Sequence, residues 1–198
     1  MAWIDVCNTA LIRIGEPPID SLTEDTDAKA QKAQDACNSQ YLAAIDEVLV
    51  MADWACARAR KAVTVDATAP AFGYDYRYAL PASPYCLKVL EIEDKPKYLI
   101  EGRWILTDQE TSINLTYTKR ITDESELDPL LRRSIALKIA HDISRYLAPS
   151  ESLRAAIMDE LEEVIIRAKA ANQAADYNTD EEENSSSTGN TEWIDAGR

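Results

Sequence analysis

Glycine is scarce in this chain of 198 residues: there are five, alongside one histidine and one phenylalanine. So few glycines leave little material for a phosphate cradle, and neither a P-loop nor a dinucleotide fingerprint is present. The sole histidine, His141, has no H-E-x-x-H context, and G-x-S-x-G is missing too. Positive charge is in deficit, with 21 Lys and Arg against 35 Asp and Glu, for a net charge of -14 and a pI near 4.5. Gripping a phosphate backbone takes clustered cations that release counterions, so this balance argues against tight nucleic-acid binding. No apolar run approaches the roughly 18 residues of a membrane span, and no membrane anchor is expected. The opening MAWIDVCNTALIRIG carries Asp5 and Arg13 without a basic leader or a cleavage site, which reads as no signal peptide.

What is present is a foldable composition, 46% hydrophobic, enough for one sizeable core or two small ones sharing a wall. Cys7, Cys37, Cys56 and Cys86 lie far apart with no C-x-x-C, the pattern of reduced packing thiols rather than a metal or disulfide framework. No cofactor is implied.

Helical periodicity comes first. Trp3, Ile4, Cys7, Ala10, Leu11 and Ile14 recur at three and four, and Gly15 with Pro17-Pro18 supplies the stop. Ser21-Leu22-Thr23-Glu24 has the form of a capping box. A second helix is expected over 27–53, with Ala30, Ala33, Cys37, Tyr41, Ile45, Val48, Leu49 and Ala52 as its stripe. Trp54 follows, large enough to pack against both the helices and the next layer. Arg58, Arg60 and Lys61 read as a solvated helix end.

From residue 62 to 119 the pattern changes. Strands are expected at 62–65, 74–80, 86–92, 98–101, 104–107 and 113–118, separated by Pro, Gly, Asp and Ser. Tyr74, Tyr76 and Tyr78 fall at period two, placing their rings on one face, and Leu80-Pro81 closes that strand. Glu101-Gly102-Arg103 reads as a tight hairpin. Trp54, Tyr76, Tyr78 and Pro81 are accordingly the expected junction between the helices and the insert. Helices return with Asp128 as cap and Pro129 in the first turn, on a face of Leu131, Ile135, Ile139, Ile143, Tyr146 and Leu147. Pro149 ends that helix and Ser150 caps the next, whose stripe runs from Leu153 through Ile157, Leu161 and Ile165 to Ala175. Two long helices joined so closely should run antiparallel. The expectation is an α+β chain: an antiparallel bundle of four main helices (residues 1–61 and 120–175) interrupted by an antiparallel sheet or sandwich (62–119).

Residues 176–198 hold seven acids and one Arg, too little apolar surface to order themselves, and read as a disordered acidic tail. Tyr177, Trp193 and Ile194 stand out in it, the last two as a terminal Trp-Ile anchor on a tether for a partner's groove. Catalytic candidates are few. Glu91 and Glu93 lie at period two, and Glu160, Glu162 and Glu163 crowd one helix, in both cases more consistent with solvated faces than with a glycosidase pair.

Taken in order, four segments resemble the tail tubular protein A family of short-tailed bacteriophages, over about residues 5 to 170. They are CNTALIRIGEPPIDSL, AQDACNSQYLAAIDEVLVMADWACARARKAV, FGYDYRYALPASPYCLKVLEI, and YLIEGRWILTDQETSINLTYTKRITDESELDPLLRRSIALKIAHDIS. The residues that carry the likeness are Trp54 with basic residues after it, Tyr76-x-Tyr78-x-Leu80-Pro81, Ile100-Glu101-Gly102, Leu115-x-Tyr117 and Asp128-Pro129. The resemblance implies a structural virion protein of the head–tail interface, assembled in the host bacterial cytoplasm, and not an enzyme. It implies a homo-oligomeric ring, commonly of twelve copies, docked beneath the portal protein and offering its lower face to a tail nozzle protein like tail tubular protein B. DNA would pass through without specific binding. The acidic tail departs from the family's shortest members, so portal binding by Tyr177, Trp193 and Ile194 is a separate expectation. A virion-carried wall hydrolase is the alternative, and a DNA-packaging factor using Arg58, Arg60, Lys61, Arg132 and Arg133 a further one.

Overall fold

The computed structural model describes residues 3–22 and 28–176. They form a mixed α/β fold of four helices and two antiparallel three-stranded sheets.

Helix α1 (Ile4–Arg13) buries Val6, Cys7, Ala10 and Leu11. Its end is a Schellman turn around Gly15, whose φ is 81°. The Gly15 and Glu16 amides donate to the carbonyls of Ile12 and Leu11, at 3.1 and 2.9 Å. A side chain at that φ would be strained, which is why Gly stands there. Beyond it, the Asn8 amide clamps both backbone groups of Ile19, at 3.0 and 2.8 Å, folding the connector back onto α1. Thr23 and Glu24 of the capping box lie outside the described residues.

Helix α2 (Ala28–Met51) buries Ala33, Cys37, Ile45, Val48 and Leu49, much as its periodicity required. Helix α3 (Pro129–Leu147) starts where its cap predicted, with the Asp128 carboxylate accepting from the Leu131 amide at 2.8 Å. In α4 (Glu151–Asp176) the Ser150 hydroxyl accepts from the Leu153 amide at 3.3 Å. Helix α3 packs against the other three, and its partners on α4, Arg133 with Glu160 and His141 with Arg154, are those of oppositely directed neighbours. Tyr146 departs from its expected place on the buried face. It is exposed, and Lys32 stands over its ring at 4.4 Å.

The first sheet has order β1-β6-β3, from β1 (Arg58–Val63), β3 (Cys86–Ile92) and β6 (Ile113–Lys119). The second has order β2-β5-β4, from β2 (Tyr76–Ala79), β4 (Tyr98–Glu101) and β5 (Trp104–Thr107). Strand β1 begins at Arg58, four positions before the expected boundary of the insert; Arg58 closes the short 3-10 turn Ala55–Ala57, but Arg60 and Lys61 are strand residues and no helix end. As an edge strand with one open face, β1 tolerates the cations that disguised it. The chain then changes sheets: Val63 pairs with Ile113 of β6, whereas Val65 bridges to Tyr78 of β2.

Two separate apolar clusters result. One gathers the four helices, with Trp54, Leu49, Ile135, Ile139 and Ile157 among its buried members. The other lies between the sheets: Val63, Cys86, Ile92, Ile113, Leu115 and Tyr117 from the first meet Tyr78 and Ile105 from the second.

Candidate functional site

The expected junction residues do not converge. Trp54 is buried in the helical cluster, its indole N–H donating to the Val48 carbonyl at 2.9 Å. Tyr78 is buried in the sheet cluster, with its hydroxyl donating between the carbonyls of Gln109 and Thr111, the latter at 2.9 Å. Burial raises its ionisation above the usual tyrosine range. Tyr76 packs beside it, and Tyr74 precedes the strand instead of extending the ring row. Pro81 is buried and joins the seam through its carbonyl alone.

What joins helices to sheets is a polar chain centred on Tyr85. Asp46 of α2 holds the Arg120 guanidinium through two hydrogen bonds, one at 2.7 Å from Nε. That pairing raises the already high Arg120 value further. Arg120 lies over the Tyr85 ring at 4.6 Å, and Arg103 over the same ring at 4.1 Å. Arg103 then donates to the carbonyls of Cys86 at 2.6 Å and Pro81 at 2.7 Å. A planar guanidinium can stack and donate at once, which lysine cannot. Leu87, reaching from β3 into the helical cluster, adds an apolar contact at the same seam.

The outer face of the β1-β6-β3 sheet is concave. In register, Arg60 stands beside Thr116 and Thr116 beside Glu91. Two adjoining troughs of about 560 and 580 Å³ share these three residues. Glu93 accepts from the Asn114 amide, and Glu91 faces Lys95 at 3.7 Å. The trough is an open surface of mixed charge, with Glu91 and Glu93 already engaged.

The one histidine sits in a smaller polar recess between α2, α3 and α4. Its Nδ1 is 3.1 Å from Asp142, while Lys138 bridges Asp142 at 2.8 Å and Glu47 at 2.7 Å. Burial pulls the Lys138 value down, but the hydrogen bonds from Asp142 and Glu47 outweigh it and hold the ammonium above its ordinary range. Both acids are therefore tied to a cation that stays charged. Glu160 is likewise a clamp: Arg133 at 2.8 Å, with Arg13 adding to it, holds its carboxyl below the usual glutamate value against the effect of burial. A glycosidase acid needs the opposite shift. Glu162 and Glu163 are exposed, the latter paired with Arg167.

The cations of the packaging reading are dispersed as well. Arg132 pairs with Glu124, Arg133 with Glu160, Arg58 with Asp53 at 3.0 Å, and Lys61 donates to the Ser83 carbonyl at 3.1 Å. The four cysteines are free thiols, with Cys7 pushed up by its hydrogen bond with Cys37 and then by burial. Cys56 faces the Asp128 carboxylate at 3.4 Å. Among the described residues no group of His, Cys, Asp and Glu could hold a metal, and no helix is long and apolar enough to cross a membrane. Tyr177, Trp193 and Ile194 lie outside the described residues. No family model matches the chain, and no curated protein matches it.

Proposed function

We propose that this chain is a head-to-tail adaptor of a short-tailed bacteriophage, built to sit between a portal protein and a tail nozzle. The observation that carries the reading is the division into two bodies with separate cores, one helical and one of two sheets, each able to mate with a different neighbour. In this reading the four helices act as the bundle that packs around a ring, and the sheets face the next component. Each body also leaves large apolar side chains in water: Ile12, Leu42 and Ile166 on the helices, Phe72, Leu99 and Ile100 on the sheet side. Anchors of this kind, present on both bodies, suit a protein that works through contacts.

The charge fits the same role. A conduit through which DNA slides should not hold it, and a net charge of -14 repels phosphate. Glu47, Asp142 and Glu160 are each paired with a cation, and Glu93 is engaged by the Asn114 amide, so the hydrolase alternative gains no support from them. Tyr177, Trp193 and Ile194 are proposed to tether the chain to the portal.

The test is to mix the purified chain with a portal ring of its own phage and weigh the complex by native mass spectrometry. The reading expects a fixed stoichiometric number of copies on each portal, twelve on a twelve-fold ring, and weaker attachment when residues 177–198 are deleted. A portal that recovers no adaptor overturns it.

A further inference from the structure

The edge strand β4 is unusual in having no cover. Tyr98, Leu99 and Ile100 are 38%, 46% and 42% exposed, although Tyr98 and Ile100 are in register with Thr107 and Ile105 of β5. Ile105 and Tyr78, opposite each other, are buried in the core between the sheets, so the row containing Ile100 continues past what the first sheet covers. Apart from the charges at its two ends, Lys97 and Glu101, little blunts this edge. Its pairing with β5 has no bulge, no proline interrupts it, and Pro96 lies just before it.

The hairpin geometry says which backbone groups are free. Glu101 pairs with Trp104 across a two-residue turn, with Gly102 at φ 58° as its first residue. Such a turn hydrogen-bonds its closing pair, so Glu101 and Leu99 direct their amides and carbonyls to β5. Tyr98 and Ile100 direct theirs outward.

We propose that two copies of this chain pair edge to edge through β4, antiparallel and centred on Leu99. That register is self-complementary. It sets Tyr98 opposite Ile100 of the second copy, where both residues present free backbone groups, an aromatic against a β-branched side chain. It also sets Lys97 opposite Glu101 at both ends of the contact, and both are exposed. Opposite charges and aromatic–β-branched pairs are the cross-strand neighbours that stabilise an antiparallel ladder. The product is a continuous six-stranded sheet with a two-fold axis, an isologous contact. A two-fold contact does not itself build a ring, so this inference stands apart from the adaptor reading.

Sedimentation velocity of the full chain over a concentration series tests it. The wild-type chain should show a concentration-dependent monomer–dimer equilibrium. Lys97→Glu alone, or Glu101→Lys alone, should weaken dimerisation about tenfold, since each places like charges opposite one another twice. Mixing the two variants should restore the dimer, because opposite charges then face each other again across positions 97 and 101 at both ends of the contact. All substituted positions are exposed, and unchanged circular dichroism confirms that the variants fold. A chain that remains monomeric throughout overturns the proposal. So does self-association that ignores both charge reversals, or a mixture that fails to recover. Portal attachment measured on the same variants reads the adaptor role separately.

Discussion

The helical body and the two-sheet body are held by different physics. Among the helices, apolar stripes from four elements interlock in one broad cluster, and polar contacts are caps or ion pairs between helix surfaces, such as Lys138 with Glu47 and Arg133 with Glu160. Between the sheets the apolar cluster is small, and polar side chains reach across to backbone carbonyls: Tyr78 to Gln109 and Thr111, Arg103 to Cys86 and Pro81, Thr107 to Lys97. Three-stranded sheets bury little on their own, so donors that satisfy loop carbonyls stabilise what area cannot. The lesson is that one body tolerates changes of polarity at its edges and the other changes of volume.

The largest expected effect breaks the helical side. Trp54→Ala removes the bulkiest fully buried side chain and its hydrogen bond to Val48, at about 3–5 kcal/mol by urea denaturation. If the two bodies differ as described, amides of α2 and α3 lose exchange protection before those of β5 and β6.

Arg103→Ala should strike the other side. Losing charge-assisted bonds to two carbonyls and the stack on Tyr85 costs about 2–3 kcal/mol. Hydrogen exchange should rise around residues 80–86 and in β4 while α3 holds. Equal loosening of α3 would erase the distinction between the two bodies.

The smallest effect sharpens the contrast by pH. Glu160 has a folded value below its ordinary one, so the unfolded chain takes up its proton first. Its contribution is complete above the ordinary glutamate value, about 4.3, and disappears as pH falls through the lower folded value. Glu160→Gln should cost about 1 kcal/mol at pH 7, a cost that fades as pH falls through the lower folded value, flattening the acid side of the stability profile. Thermal melts across that range read the difference.

The elements that were legible in the sequence are those set by neighbours along the chain. Asp128-Pro129, Ser150, the Gly15 stop and the Gly102 turn each act within a few residues, and each stands where pattern placed it. The seam was not legible: Asp46 and Arg120 are 74 positions apart, and no spacing rule connects them through Tyr85 to Arg103. Nor was the start of β1 at Arg58, because exposed charged residues in an edge strand look like those at a helix end.

Local propensity, capping and turn chemistry depend on contacts so close in the chain that composition and order alone dictate them, and they settled the helices, most strands and the acid surplus. Tertiary structure alone decided that the apolar residues divide into two cores, that Trp54 and Tyr78 belong to different ones, and that arginines stacked on Tyr85 join them. Such pairings pay loop-closure entropy and are chosen by competition among distant partners, which no short window of residues records.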